Sequence, residues 1–416
     1  MKVYKFGGAS VKDAEGVKNV LNVLDKTGNH NKLIVISAMG KTTNALEVVV
    51  QDYLDTGKIP SSLNQVRDFH LDLISNLFSN PEAPVFRLVR DFFAELENFL
   101  EHNKSTRYDF VYDQVVNYGE LVSTCIVSEF LNEKGFKNNW IDARNYIKTD
   151  DTYRDAKVDW EETQERISRD INREEVNITQ GFIGTDTDNF TTTLGREGSD
   201  YSAAIFAYCL NAESVTIWKD VPGVLNADPR VFKKTELLKK ISYEEAIELA
   251  FYGASVIHPK TLQPLKGKEI PLYVKPFTDP ESEGTAVHQG WGIEPSIPCF
   301  IVKKGQVLIS LSSLDFSFMV EENISDIFRL FHQYQMKVDL IQNSAISFSV
   351  CVDNRFNQLE KLLQHLKARF RVKFNTGVSL YTIRHFNEAA IKELEKDKEV
   401  LLKQITRDTV QIVTRN

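Results

Sequence analysis

Along the first two thirds of the chain, short apolar runs typical of buried strands alternate with stretches in which apolar residues recur every three or four positions, as in helices. Short apolar runs at residues 3–6 and 33–37 predict buried strands, and apolar residues spaced three or four apart at 13–28 predict a helix. Asp13 is expected to cap the start of that helix and Gly28 to end it. Further strands are predicted at residues 139–143, 176–184, 191–193, 213–220 and 270–277. This alternation predicts an α/β domain whose mostly parallel sheet is sandwiched by helices and binds ligands at the carboxyl ends of its strands.

The pattern changes after residues 278–298, a stretch rich in Gly, Pro, Ser and Glu. Beyond it the elements follow the order β-α-β-β-α-β of a ferredoxin-like module, in which residues 337–345 and 347–353 are predicted to form a hairpin. A tail follows with strand, helix (387–404) and strand, which is too short for a second module. We expect the tail to pair with the strand CFIVKK or with another subunit. The predicted division is residues 1–287, a linker with a short strand at 288–306, the module at 307–376 and the remnant at 377–416.

Composition narrows the class of protein. The 416 residues carry a net charge of −8, which gives no general attraction to nucleic acid or to an anionic membrane. No apolar run approaches the ~18 residues of a membrane helix, and the first residues are not those of a signal peptide. The four cysteines are scattered, so they predict buried, reduced thiols without metal or redox work. We therefore expect a cytoplasmic protein that binds neither nucleic acid nor membrane.

Residues 40–42, Gly-Lys-Thr, match the end of a phosphate-binding P-loop, but the glycine that must stand five positions before Gly40 is replaced by Val35. A P-loop is therefore excluded. Ser37 and Thr43 nevertheless place hydroxyls at the end of a strand, where they could bind a small polar ligand. The alternative is that a hydroxyl of this stretch caps the next helix.

Two more strand ends carry candidate chemistry. Lys5 lies inside an apolar strand, where a charge is costly unless it meets an anion, and Gly7 and Gly8 after it allow a phosphate to approach the backbone. A plain tight turn would use the same glycines. Farther on, Arg196 stands in a glycine-flanked turn, where its planar fork could hold a carboxylate or phosphate. There, Ser199 or Asp200 could instead cap the following helix.

Six segments together resemble the monofunctional aspartate kinases of the amino-acid-kinase fold. They occur in the family's order and are residues 5–10, 35–45, 119–123, 193–204, 217–230 and 253–261. The resemblance covers residues 1–287, and the module at 307–376 resembles an ACT domain, the regulatory module of such kinases. It implies that L-aspartate and ATP give 4-phospho-L-aspartate and ADP, the first step toward lysine, threonine and methionine. In this family, residues 40–42 lie in a loop that helps to bind the amino acid.

The resemblance also implies roles for individual residues. Lys5 would neutralise the transferring phosphoryl group, and Asp200 would orient the Lys5 side chain. Arg196 would hold the substrate α-carboxylate and Glu120 its ammonium group. His258 is expected to be structural, because an ionised β-carboxylate needs no general base. Mg²⁺ would be held by ATP oxygens and water, so no protein metal site is expected. The remaining assigned positions are Ser37, Thr43 and Ser199 for the substrate and Gly7, Gly8, Lys219, Asp220 and Arg230 for the nucleotide.

The chain departs from the family at Ala9, Glu197 and Leu225, where Thr, Gly and Tyr are common. We expect the Glu197 side chain to face solvent, because a carboxylate beside Arg196 would weaken anion binding. The truncated tail also alters the usual effector region. Two alternatives remain, namely another carboxylate kinase of this fold (N-acetylglutamate or glutamate 5-kinase) and a non-catalytic ligand sensor. Glu120 argues against N-acetylglutamate, because a blocked amine would not need an anionic partner. The presence of Lys5, Arg196 and Asp200 together argues against a non-catalytic sensor.

Regulation is expected in the C-terminal part. A single ferredoxin-like unit leaves strand edges that tend to be paired or covered, which predicts a homodimer through the ACT region. ACT modules commonly bind amino acids where a strand meets the next helix. An acidic side chain at 339 suits a cationic effector such as lysine, although Glu321 and Glu322 would repel its carboxylate. The candidate effector residues are Ser313, Asp339 and Ser344.

Overall fold

The computed structural model describes residues 1–28, 30–254, 257–290, 292–315 and 317–415. The chain forms two compact units. The first contains Met1–Val224, Leu237–Ile247 and Val256–Ile293, and the second contains Leu225–Glu236, Glu248–Ser255 and Glu294–Asn416. Within the described ranges, no helix is both long enough and apolar enough to span a bilayer.

The first unit is built on a largely parallel sheet. Its strands are β1 (Lys2–Phe6), β2 (Lys32–Ile36), β3 (Asn139–Trp140), β4 (Val176–Gln180), β5 (Ile183–Thr185), β6 (Thr191–Thr193), β7 (Ser214–Lys219), β8 (Lys240–Ser242), β9 (Leu272–Pro276) and β10 (Thr285–His288). Eight of these strands form one sheet in the order β3-β4-β2-β1-β7-β9-β10-β8, and β5 pairs with β6 in a separate antiparallel pair. The pairings from β3 through β9 are all parallel, which confirms the predicted sheet.

Helices surround this sheet. They are α1 (Ala14–Thr27), α2 (Thr42–Thr56), α3 (Ser62–Leu77), α4 (Pro84–His102), α5 (Tyr108–Glu133), α6 (Trp160–Asp170), α7 (Gly198–Leu210), α8 (Tyr243–Tyr252) and α9 (Pro259–Gly267), and residues 248–252 of α8 belong to the second unit. The side chain of Asp13 accepts a hydrogen bond from the Gly16 amide and Gly28 ends α1, so both predicted caps are confirmed. The core contains buried residues of both sheet and helices, and within the sheet Phe6 of β1 is stacked on Trp218 of β7 at 6.2 Å between ring centroids.

Two parts of the predicted sheet were wrong. Residues 176–184 were predicted as one strand, but β4 ends at Gln180 and Phe182 has a left-handed backbone with a φ of 74°, which turns the chain into β5. The run of strands was expected to close near residue 277, but β10 adds to the sheet antiparallel to β9, and β8 pairs with β10. Strands of three and four residues are too short to show a period of two in the sequence.

The second unit contains an antiparallel sheet with helices. Its elements are β11 (Cys299–Ser312), α10 (Glu321–Gln333), β12 (Lys337–Asn343), β13 (Ser347–Asp353), α11 (Leu359–Lys367), β14 (Arg371–Arg384), α12 (Glu388–Glu395), β15 (Glu399–Ile405) and β16 (Thr409–Arg415). The strand order is β12-β13-β11-β14-β16-β15. The predicted hairpin of residues 337–353 is confirmed by the antiparallel pairing of β12 with β13.

Two long strands run through the predicted division of this unit. β11 crosses residues 306–307 and β14 crosses 376–377, so both predicted boundaries fall inside strands rather than in loops. Residues 306–312 of β11 pair with 371–378 of β14, and residues 299–303 pair with 380–384. Of the two partners considered for the tail, the strand at 299–303 is therefore the one that pairs with it here.

The tail also contains a strand that the sequence did not reveal. Residues 387–404 were predicted as one helix, but α12 ends at Glu395 and residues 399–405 form β15. Asp397 has a left-handed backbone with a φ of 60°, which breaks the helix before the apolar stretch that follows. The tail is thus β-α-β-β rather than the predicted β-α-β.

Candidate active site

A cavity of about 580 Å³ opens in the first unit at the carboxyl ends of β1 and β2, beside the start of α7. This is the edge of the sheet at which a parallel α/β fold is expected to bind ligands. Nine of the residues assigned from the sequence lie in its wall, namely Lys5, Gly8, Ser37, Thr43, Glu120, Arg196, Ser199, Asp200 and Lys219.

A buried carboxylate between two lysines forms the floor of the cavity. Asp200, in the first turn of α7, lies 2.6 Å from the Lys5 Nζ and 3.4 Å from the Lys219 Nζ. Burial alone would raise the pKa of Asp200, but the two ammonium groups outweigh it and hold this pKa below its usual value. The cluster therefore carries two positive charges and one negative charge, and a net positive charge remains to face an anion.

The loops after β1 and β2 are joined through glycine. The Gly8 carbonyl accepts a hydrogen bond of 3.0 Å from the Gly40 amide. A Cβ on Gly8 would lie 2.7 Å from the Ala38 carbonyl oxygen, which is too close for any other residue. Helix α2 begins at Thr42 with Lys41 at its N-cap, and no side chain caps it. The capping alternative for Ser37 and Thr43 is therefore wrong, and both residues lie in the cavity wall instead.

Glu120 lies on α5 and is 3 % exposed. Burial raises the pKa of its carboxyl to about 8, and the charge of Lys5 and the Ala38 backbone offset this only in part. Among the described residues, its Oε2 has no hydrogen-bond partner. A buried acid in this condition is ready to accept a cationic group, because an ammonium ion would supply both the missing partner and the missing charge.

The turn before α7 carries the exposed Arg196. Glu197 occupies the N-cap of α7 with a φ of 54° and makes no capping bond. Its Oε2 is buried and has no partner within the described ranges, so the expectation that this side chain faces solvent was wrong. Burial lowers the pKa of His258, and the nearby charge of Glu197 opposes this shift. His258 accepts a hydrogen bond from the Lys260 amide at the start of α9, in line with the structural role expected for it.

Three assigned residues lie outside the cavity wall. A Cβ on Gly7 would lie 3.4 Å from the Lys5 Nζ, so Gly7 borders the cluster without lining the cavity. Asp220 is exposed. Arg230 belongs to the second unit, where its side chain is 81 % exposed and its Nη2 lies 2.8 Å from the Asp228 Oδ2. Residues 255 and 256 of the segment 253–261 are outside the described residues.

The three candidate effector residues already have partners in the second unit. Asp339 is almost fully buried and its Oδ1 lies 2.8 Å from the Lys303 Nζ. The Ser313 hydroxyl donates to the Ser317 carbonyl, and the hydroxyls of Ser344 and Ser347 share a hydrogen bond of 2.7 Å.

Sequence reasoning missed three side chains of the cavity wall, Tyr112, Arg154 and Phe182. Tyr112 lies in the middle of a helix, and Arg154 and Phe182 lie in irregular loops. Tyr112 and Arg154 have no flanking glycine that would have singled them out, and Phe182, although it stands between Gly181 and Gly184, belonged to the predicted strand 176–184.

Comparison with known proteins shows the family of the chain. The model of the amino acid kinase family matches residues 1–276. The lysine-sensitive aspartokinase 3 of Escherichia coli (strain K12) is 31% identical over 401 residues, which cover 92% of this chain and 86% of that protein. The chloroplastic aspartokinase 1 of Arabidopsis thaliana is 31% identical over 369 residues, which cover 84% of this chain and 63% of that protein.

Solved structures share the fold over the whole chain. The structure of E. coli aspartokinase III in complex with lysine and aspartate (T-state) aligns with a TM-score of 0.79 and 27% identity, covering 99% of this chain and 95% of that chain. The structure of the same enzyme in complex with aspartate and ADP (R-state) aligns with a TM-score of 0.77 and 27% identity, covering 100% and 96%.

Proposed function

The chain belongs to the amino acid kinase family, and on that premise we propose that it is an aspartate kinase. It transfers the γ-phosphoryl group of ATP to the β-carboxylate of L-aspartate and releases 4-phospho-L-aspartate and ADP. The observation that carries this proposal is the cavity in which the Lys5–Asp200–Lys219 cluster, the guanidinium of Arg196 and the buried carboxyl of Glu120 lie together.

The chemistry requires positive charge rather than a base. The β-carboxylate has an ordinary pKa of about 3.9, so it is ionised and nucleophilic at neutral pH. It must approach a polyanion, and the barrier falls only if fixed positive groups offset the charge that gathers on the phosphoryl oxygens. Lys5 and Lys219 supply these groups, and Asp200 holds both ammonium ions in place before the substrate arrives.

Other side chains of the cavity wall suit the amino acid. Arg196 offers a planar fork to the α-carboxylate, and Glu120 offers an acceptor to the α-ammonium group. The hydroxyls of Ser37, directly after β2, and of Thr43, in the first turn of α2, hydrogen-bond the same molecule. This arrangement places a cation, an anion and hydroxyls around an amino acid that carries the complementary groups.

ATP enters as its Mg²⁺ complex. We propose that phosphate oxygens and water bind this Mg²⁺, because the ion loses its waters reluctantly and is commonly held through substrate phosphates. The Gly8 backbone borders the phosphates. We propose that Gly7, Asp220 and Arg230 also contact the nucleotide. Measuring ATP binding by variants at these positions, in the absence of aspartate, would test this role.

One experiment tests the activity and its alternatives together. The protein is supplied with MgATP, hydroxylamine and one candidate acid at a time, and any acyl phosphate is trapped as its hydroxamate. We expect product with aspartate and none with N-acetylglutamate, because Glu120 favours a free ammonium group. Product with glutamate or N-acetylglutamate alone would replace the proposal with another kinase of this family. If none of the acids gives a hydroxamate, the protein would instead be a non-catalytic ligand sensor.

Regulation by an end-product amino acid and dimerisation through the second unit are also part of the proposal. E. coli aspartokinase III has been crystallised with lysine, and β12 and β15 are edge strands available for pairing. Activity is measured against lysine and threonine, separately and together, at subsaturating aspartate, and mass is measured by light scattering. Inhibition by lysine alone in a dimeric protein is the expected result. A cytoplasmic location fits four buried, unbridged cysteines.

A further inference from the structure

Arg154 is a cation of the cavity wall to which no role has been given. It lies in the loop before α6 and its backbone is left-handed, with a φ of 70°. Such a conformation costs free energy for any residue with a Cβ, so it persists only where surrounding contacts fix it. The loop is therefore held in place by interactions that outweigh this strain.

Asp113 provides those interactions. Its buried carboxylate on α5 accepts the Arg154 amide at 3.0 Å, the Thr193 amide at 2.7 Å and the Thr193 hydroxyl at 2.8 Å. Thr193 ends β6, three residues before Arg196. One carboxylate thus anchors the two loops that carry Arg154 and Arg196, and it fixes the distance between their attachment points.

A second contact joins the same two loops. Gly195 has a φ of 78°, and a Cβ there would lie 2.5 Å from the Asp155 Oδ1 and 3.2 Å from the Arg154 carbonyl oxygen. The Ala156 amide also donates to the Thr193 carbonyl at 3.0 Å. The loop of Arg154 and the turn of Arg196 are therefore packed directly against each other.

Aromatic rings orient the Arg154 side chain. Its Cζ lies 4.4 Å from the centre of the Tyr112 ring and 5.2 Å from that of Tyr108. Ion pairs with Glu47 at 3.3 Å and Asp109 at 3.7 Å are exposed, so each contributes little and exchanges easily for a ligand. The planar group is consequently held by stacking, and the carboxylate of a ligand can replace its exposed partners Glu47 and Asp109.

We propose that Arg154 is a second guanidinium ligand of the acceptor, facing the carboxylate that Arg196 does not hold, and that it determines preference for a dicarboxylic amino acid. This inference rests on the proposed function. Aspartate brings two carboxylates into the cavity. Lys5 and Lys219 both contact Asp200 and act on the phosphoryl group. The two carboxylates of aspartate are therefore left to the two arginines of the cavity wall, one to each.

The test compares two arginine variants on two acceptors. Arg154→Gly removes the side chain and suits the left-handed backbone, so folding should be preserved. With aspartate, we expect this change to raise KM at least tenfold and to leave KM for ATP within twofold. With the α-amide of aspartate, which lacks the α-carboxylate, the penalty of Arg154→Gly should persist while that of Arg196→Lys should disappear.

Arg107→Gln is the matched control. Arg107 also lies over a tyrosine ring, 5.6 Å from the centre of Tyr153, but it is not part of the cavity wall. It should leave both KM values unchanged. A KM for aspartate within twofold of wild type in Arg154→Gly overturns the inference, as does an equal loss for ATP with a lowered Tm. If the α-amide has no measurable turnover, its inhibition constant against aspartate gives the same comparison.

Failure of the proposed function would look different. A wild-type protein that forms no hydroxamate from aspartate contradicts the aspartate kinase activity itself. An active wild type whose Arg154→Gly variant is unimpaired contradicts only the role of Arg154.

Discussion

Lys5→Ala is the change that most directly tests the charge cluster. Lys5 is buried in the middle of the cavity floor, with its Nζ 2.6 Å from Asp200. Its proposed charge acts on the phosphoryl group during transfer, so its removal should affect the transition state more than either ground-state complex. The variant should therefore show a lower kcat with little change in KM for aspartate.

The structure also indicates the size of this effect. Removing one electrostatic donor from a preorganised site costs about 10²–10³ in kcat, or about 2.7–4 kcal/mol. Lys219 remains only 3.4 Å from Asp200 and keeps one ammonium group at the site. We therefore expect the lower end of that range, a loss of about 10² in kcat.

The assay follows ADP release in the steady state and acyl phosphate as hydroxamate, over full ranges of ATP and aspartate. Lys2→Ala is the matched control, because Lys2 lies on the same strand and is exposed. A kcat within threefold of wild type, with only KM for ATP raised, would show that Lys5 merely binds nucleotide. A lowered Tm in Lys5→Ala alone would not affect this comparison, since kcat is taken on folded enzyme.

Three further predictions concern other groups. Arg196→Lys keeps the charge but loses the fork, so KM for aspartate should rise at least tenfold, about 1.4 kcal/mol, with KM for ATP unchanged; an unaltered KM for aspartate contradicts the clamp. The pKa of Glu120 is raised to about 8, so this carboxyl should release about one proton when aspartate binds at pH 7. Calorimetry in buffers of different ionisation enthalpy measures the release, and Glu120→Gln should abolish it. His70 is fully buried and burial lowers its pKa to about 4, so the folded state binds this proton less well than the unfolded chain. Stability should be complete above pH 6.5 and fall by up to about 3 kcal/mol toward pH 4. His70→Gln should flatten that part of the Tm profile, and the exposed His102→Gln should not.

The parts of the site that the sequence predicted are those with a local signal. Lys5 stands out as a charge in an apolar strand, and Arg196 stands in a turn between glycines. Each lies within a few residues of a predicted strand end, and the parallel topology brings such ends together. Neither residue needed knowledge of a distant contact in order to be chosen.

Arg154 and Asp113 could not be found in this way. Their bond joins residues 41 positions apart, and the bond of Asp113 to Thr193 spans 80 positions. Asp113 lies in a helix whose other residues are mostly apolar and buried, so its sequence context suggests a core position with no chemistry. Its importance arises only when α5, the Arg154 loop and β6 meet.

The second unit shows a different limit of sequence interpretation. In the sequence, Gly305 and Gly377 are each typical of a loop between domains. Their backbones are indeed left-handed, with φ values of 70° and 68°. In the structure they lie within β11 and β14, and the pairing register shifts between Lys303 and Gln306. A bulge lets a strand continue past a left-handed residue when its neighbours are paired on both sides, and those neighbours are not visible in the local sequence.

Asp339 illustrates why a residue type alone does not define a binding site. Its carboxylate would suit a cationic effector, but the chain already provides a cation, because the Lys303 Nζ lies 2.8 Å away and the Lys337 Nζ 3.6 Å away. Lys303 is on β11, within the segment that the sequence suggested was a linker. A lysine effector that used Asp339 would have to displace this ammonium group from a site that is 5% exposed, and would recover only the contact it had broken. An effector response of this protein must therefore draw its binding free energy from groups other than Asp339, or from a state of the second unit in which the pair with Lys303 is open.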